Sequence, residues 1–435
     1  MRYPTLSLLA SISVAVTSCT DDRPSLVGLS LDAGVAAARV TTPGSGPWAR
    51  IVEGETGPGS LYALYIPAHW NGDAIYYAHG IRPPLDPVTL DNNQDNFFAV
   101  RDALGAQGYA FAYSSFSENG LAVKDGAQRT HQLRGLLNSE LSARPQRNYL
   151  AGYSLGALSA LELGERFPGQ YDGVLAMCGM VGGTPRELKY VGDVRALFDY
   201  YYPGVFPGNV ISVRSPPPTI EEIQARVIGA ITPTAANPGA PLGMFAIAST
   251  AQTQLAYAPL GSLGSPSSTA FQTLVGSLIY ALYYQLIGTQ DVLDRTHGHS
   301  PYDNRTTVYT MGTPAVPDPA LVPLIRSMIA GSNAPNVGVT RYDMPPDAQN
   351  YLEKNYVPTG NLKIPVVSVH NYWDPLVPFF HEPALAEAVA GAGASSMLLQ
   401  RIEYNYGHCN FPTSVVVGSF QTLVSWVTTG VKPAS

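Results

Sequence analysis

The chain has 435 residues, of which 45% are hydrophobic and only 13% charged, with a formal net charge of −7. That length and apolar content support a large buried core and exclude general disorder. The low charge and the lack of any Lys/Arg-rich run exclude nucleic acid as a partner, because binding a phosphate backbone needs a basic footprint.

Arg2, an apolar or small stretch from Leu6 to Val16, and then Val16-Thr17-Ser18-Cys19 have the layout of an export signal over residues 1–18. The Val-Thr-Ser-Cys segment matches a bacterial lipobox, in which Cys19 becomes the lipid-bearing first residue of the mature chain. An ordinary cleaved signal with an incidental Cys19 is the other reading. Either way the sequence predicts an exported protein, anchored in the cell envelope or free as a secreted or periplasmic one. Its membrane contact would then be an N-terminal lipid alone. Of the three cysteines, Cys178 and Cys409 remain, and pairing is their natural use in an oxidising compartment. Residues 19–47, rich in Asp, Ser, Ala, Gly, Thr and Pro, read as a tether.

From residue 48 the pattern becomes globular. Short apolar runs at Leu61–Ile66, Ala74–Ala78, Tyr109–Tyr113, Asn148–Ala151 and Val174–Met177 read as strands. Helical stretches lie between them at Asn96–Leu104, Gly126–Leu137 and Ala157–Arg166. The rhythm breaks from 184 to 351, a segment rich in Pro, Gly, Tyr and Ala with helical patches at Ile220–Ile228 and Phe271–Ile287. It resumes with a strand at Ile364–His370, a helix near Pro383–Ala392, a strand at Leu398–Tyr406 and a terminal helix near Ser414–Thr428. The expected architecture is α/β: a mostly parallel sheet with helices on both faces, built from 48–183 and 352–435, with 184–351 inserted as a large, mainly helical cap. Phe271–Gly288 is apolar enough to raise a membrane span. A span there would divide the two halves of one sheet across the bilayer, so a buried cap helix is expected instead.

The chemistry centres on Gly152-Tyr153-Ser154-Leu155-Gly156, placed where a strand ends and a helix begins. Five letters are weak evidence alone. In that setting they form a nucleophile elbow, which lifts a serine hydroxyl above the sheet edge at a helix N-terminus. Such a serine needs a base, and the base a carboxylate to fix its tautomer, in the chain order Ser, acid, His. His408, in a loop directly after the late strand, is the expected base, and Asp374, just past the preceding strand, the expected acid. The oxyanion hole is expected from the backbone N–H of Leu155 with that of Ile81, Gly80 being the alternative second donor. The His297/His299/Asp303 cluster lacks a full ligand set, and neither metal nor organic cofactor is expected. Tyrosines near 200 and 280–284 are candidates for either an acyl pocket or cap packing.

The stretches Gly59-Ser60-Leu61-Tyr62, Pro67-Ala68-His69-Trp70-Asn71-Gly72, His79-Gly80, Ser115-Phe116-Ser117-Glu118-Asn119-Gly120, Met177-Cys178-Gly179 and Gly407-His408-Cys409 resemble secreted bacterial α/β-hydrolases of esterase-like or prolyl-oligopeptidase-like type. The Gly-His-Cys end is also similar to tannases and feruloyl esterases. In that family a Cys directly before the nucleophile bridges to the Cys after the His, whereas here that position is Tyr153. A variant bridge, Cys178–Cys409, is the expectation that follows. The resemblance implies a serine hydrolase of small or polymeric carboxylic esters. A serine peptidase with the same triad, or an inactive hydrolase fold used as a binding module, are the alternatives.

Overall fold

A computed structural model describes residues 39–57, 59–91, 96–212 and 217–434. The expected export signal, Cys19 and most of the expected tether lie outside these residues.

Among the described residues, nine strands form one sheet: β1 (Val40–Pro43), β2 (Trp48–Glu55), β3 (Leu61–Pro67), β4 (Asp73–Ala78), β5 (Ala110–Ser114), β6 (Arg147–Tyr153), β7 (Gly173–Met177), β8 (Val366–Trp373) and β9 (Leu398–Tyr406). Their spatial order is β1-β2-β3-β5-β4-β6-β7-β8-β9. The pairings from β1 to β5 are antiparallel, and those from β5 through β9 are parallel. Strands β4, β5 and β7 are buried along their whole length because both faces are covered, whereas the edge strand β9 is largely open. Ala74 and Tyr76 of β4 pack on one side with α2 (Val123–Glu140) and α3 (Leu155–Arg166). Ile75 and Tyr77 pack on the other with α1 (Phe97–Ala106) and α12 (Thr413–Thr429).

Between β7 and β8 the described residues build seven α-helices: α4 (Thr184–Tyr201), α5 (Ile220–Ile231), α6 (Pro241–Ala248), α7 (Thr269–Arg295), α8 (Val322–Ala330), α9 (Pro335–Gly338) and α10 (Pro346–Tyr356). Helix α11 (His381–Gly391) returns to the sheet. The inserted helices have a core of their own, with Leu197 and Phe198 of α4, Val227 of α5, Phe245 of α6, Leu278 of α7 and Ile329 of α8 in one cluster. Among the described residues, two of the α-helix starts carry side-chain caps: Thr219 accepts from the Glu222 N–H and Ser268 from the Phe271 N–H. Helix α7 is long and apolar enough to cross a membrane, but two-thirds of its most apolar window is buried (67%). Its apolarity on several sides suits a central position in the helical layer.

Two expected boundaries shift. Residues 40–43, read as the end of the tether, pair with β2; all four side chains are exposed, so only backbone hydrogen bonds define the strand. Helix α10 carries the inserted segment past 351, to Tyr356.

Candidate active site

The elbow follows from three close backbone approaches. Strand β6 ends at Tyr153, and α3 begins at Leu155. Ser154 between them adopts φ 55° and ψ −120°, a conformation costing about 1–3 kcal/mol that persists only where the surroundings enforce it. A Cβ on Gly152 would strike the Gly156 carbonyl, and one on Gly156 the carbonyls of Ala78 and His79. Both glycines are therefore required for the helix to start directly over the strand ends. The Ser154 N–H donates to the Met177 carbonyl at 2.9 Å, tying the turn to β7. This sheet order, with the elbow after its central strand β6 and a helical insertion after β7, decides the architecture.

The fold is that of an α/β-hydrolase.

Ser154 Oγ lies 2.9 Å from His408 Nε2, and His408 Nδ1 lies 2.8 Å from Asp374 Oδ2. Asp374 is fully buried, and its Oδ1 accepts the Leu376 and Val377 N–H groups, each at 2.9 Å. A carboxylate held this way takes a proton donor at Nδ1. That leaves Nε2 with the lone pair that a serine hydroxyl requires. Residues 254 and 34 positions apart in the chain thus meet in one line.

The His408 loop is pinned on its far side. A disulfide joins Cys178, just after β7, to Cys409, with Cα atoms 5.2 Å apart. Both cysteines have positive φ, 46° and 54°, so the loop backbone is strained beside the imidazole as well as at the elbow. Cys178, Cys409 and His408 are also the one cluster of metal-ligand type among the described residues. With both sulfurs in the disulfide, no thiolate is available to a metal.

Helix α3 supplies the Leu155 N–H at its first position, where an amide has no intrahelical acceptor. Ile81, in the loop after β4, lines the same cavity as Ser154. His79 does not enter that cavity. It is buried, stacks on Phe116 with ring centroids 3.7 Å apart, and its Nδ1 lies 2.6 Å from the Gly80 carbonyl. Its role is to brace the loop that carries Ile81. Burial, with Arg82 adding, lowers its pKa to about 4, so the ring is neutral at pH 7.

Beneath Asp374 sits a second buried histidine. His370 Nδ1 faces Glu382 Oε1 at 3.2 Å and Nε2 faces the Val377 carbonyl at 2.8 Å, so both ring nitrogens meet acceptors. Burial opposes its charge, but Glu382 and Asp374 outweigh that and raise its pKa. Ser368 and Gln400 complete the shell around Glu382.

Tyr284 lines the cavity, whereas Tyr200, Tyr201 and Tyr202 pack in the helical layer's own core. Glu118 pairs with Arg295, and Asn119 donates to the Asp86 carbonyl; both fasten loops beside the site. His299 pairs with Asp347 and Asp303 with Arg305, so those residues do not converge. Sequence reasoning missed Thr184 and Glu187, which line the cavity, and the Glu187–His381 contact. Nothing local marks a pair 194 residues apart.

No family model matches the chain, and no curated protein matches it in sequence. Solved structures resemble it distantly. Candida antarctica lipase A is 11% identical at a TM-score of 0.45, over 92% of this chain and 83% of that one. Feruloyl esterase B from Aspergillus oryzae is 14% identical at 0.43, over 88% and 81%. A Bacteroides ovatus protein described as a dipeptidyl aminopeptidase IV is 9% identical at 0.40; 90% of this chain spans only 36% of that one. At such distances the fold assignment rests on the chain's own sheet order and elbow, and the likenesses carry nothing about substrate.

Proposed function

We propose that the protein is a serine hydrolase of carboxylic esters that works through an acyl-enzyme. The observation that carries the reading is the Ser154–His408–Asp374 line, set on a strained elbow beside an apolar cavity. As Ser154 Oγ attacks the ester carbonyl, His408 Nε2 takes its proton. The tetrahedral oxyanion is held by the Leu155 and Ile81 N–H groups, and its collapse breaks the C–O bond to the alcohol. The proton on Nε2 goes to the leaving oxygen. Water then repeats the sequence against the acyl-enzyme, releasing the acid and restoring Ser154. Asp374 holds the imidazole in the required tautomer and stabilises the imidazolium.

The test is a comparison of p-nitrophenyl acyl esters with aminoacyl p-nitroanilides, using wild type and Ser154→Ala. Faster ester turnover, lost in Ser154→Ala, is expected. Amide turnover exceeding ester turnover would instead favour a peptidase. We also propose that the protein is exported and lipid-anchored through Cys19; the disulfide beside His408 supports an oxidising compartment. Radiolabelled fatty acid should enter the full-length chain and be lost on Cys19→Ser. Equal incorporation in both would refute the anchor.

A further inference from the structure

Most of the cavity wall beside Ser154 is apolar, including Leu121, Met180, Leu188 and Val191, and no Lys, Arg or His lines it among the described residues. Besides Ser154 and the Tyr284 phenol, two side chains break that pattern. Thr184 and Glu187 stand one turn apart at the start of α4, and both line the cavity. Thr184 is fully buried, and its Oγ1 has no hydrogen-bond partner among the described residues. Glu187 is 8% exposed.

One Glu187 oxygen is already committed. His381 Nδ1 accepts the Gly182 N–H at 3.0 Å, so the neutral ring carries its proton on Nε2, which lies 2.9 Å from Glu187 Oε2. Burial holds His381 well below the usual histidine range, in keeping with that neutral form. Glu187 Oε1 is left without a hydrogen-bond partner among the described residues. Burial, with the nearby Asp374 charge adding, pushes this carboxyl well above the carboxylate range. The buried Thr184 hydroxyl left unpaired in an apolar wall costs free energy, which a ligand can recover by supplying its partner while also meeting the Glu187 oxygen that lines the cavity.

We propose that Thr184 and Glu187 form a polar subsite selecting esters that carry a hydrogen-bond donor, a hydroxyl or an ammonium group, on the part of the substrate filling this cavity. The subsite rests on the ester-hydrolase reading of Ser154. A substrate hydroxyl would accept from the protonated Oε1 of Glu187, whereas a substrate ammonium would keep that carboxyl ionised and donate to Oε1, with His381 holding the other oxygen in both cases. Thr184 Oγ1 would take the second contact. A site built to pair a substrate group rejects an isostere lacking that group by large factors, because its own buried atoms are then stranded.

The test uses the purified chain and two matched sets of isosteres. On the acyl side these are p-nitrophenyl 3-methylbutanoate, 3-hydroxybutanoate and 3-aminobutanoate; on the alcohol side they are propyl, 2-hydroxyethyl and 2-aminoethyl butanoate. In at least one set, a donor-bearing ester should exceed its methyl isostere in kcat/KM by on the order of 100-fold. That ratio, taken within each variant, should collapse below about threefold in Glu187→Met and fall in Thr184→Val. Because it is internal to each variant, loss of folded protein does not mimic the effect, and Thr184→Val serves if Glu187→Met does not fold. Retention of the preference in Glu187→Gln identifies a hydroxyl, and its loss an ammonium group. A wild-type preference under about tenfold in both sets, or one that survives Glu187→Met, would overturn the subsite while leaving ester hydrolysis standing. Failure to hydrolyse any of the esters, with Ser154 unreactive to a fluorophosphonate, would overturn both.

Discussion

Removing the Cys178–Cys409 disulfide should cost both stability and activity, because it closes a very long loop and pins the base. The two cysteines are 231 residues apart, and the enclosed segment contains the whole helical insertion with β8 and β9. Loop-closure entropy for that length amounts to roughly 5 kcal/mol at 25 °C. Unfolding entropy of about 2.1 cal/mol/K per residue, over 435 residues, converts this to a fall in Tm of roughly 6 °C. The loss should appear in calorimetry of the Cys178→Ser/Cys409→Ser double variant against wild type. Activity should fall as well, since Cys409 adjoins His408 and holds a positive φ of 54° that the released loop need not keep. A kcat decrease with little change in KM is the signature of lost transition-state positioning. A double variant that melts within about 1 °C of wild type with unchanged kcat/KM would refute this account of the bridge.

Two further outcomes follow from buried groups. Asp374→Asn would keep an oxygen for the Leu376 and Val377 N–H groups but present an NH2 to His408 Nδ1. The proton then moves to Nε2, and kcat should fall by on the order of 10⁴ with the melting temperature little changed, whereas a drop under about tenfold would exclude Asp374 as the orienting acid. For His79, the folded pKa of about 4 lies below the ordinary histidine value of 6.5. Between those values the unfolded chain binds a proton that the folded chain does not, so stability should fall as pH drops through this window, by up to roughly 3 kcal/mol. His381, also depressed by burial, acts in the same direction. Urea midpoints at pH 7 and pH 4.5 should show a smaller acid loss in His79→Gln than in wild type; an equal loss would remove His79 from the explanation.

What the sequence reveals depends on whether a structural demand is local. Strands β4 and β7 were legible because burial on both faces demands apolar runs, and β6 and β8 because apolar residues still dominate their buried positions. Strand β2 was not, since Arg50, Glu53 and Glu55 interrupt it where burial is partial. Strand β1, exposed throughout, has no side-chain pattern to read. Helix α4 was missed because it buries Glu187, Asp193 and Arg195 beside its apolar residues, which erases the polar face that marks a surface helix. At the site, Ser154 was legible because its strained turn demands glycines on either side. Asp374 and His408 were legible as loop residues directly after strands. The Glu187–His381 contact and the unpaired Thr184 arise only when α4 meets the start of α11 and the cavity wall, and no local demand on the chain announces them.

The central claim, that Ser154 is an activated nucleophile, is tested most directly by mass spectrometry after reaction with a fluorophosphonate. The account predicts one adduct per chain, located on Ser154, absent in Ser154→Ala and strongly suppressed in His408→Ala. A folded, ester-hydrolysing protein that carries the adduct elsewhere, or none at all, would contradict it.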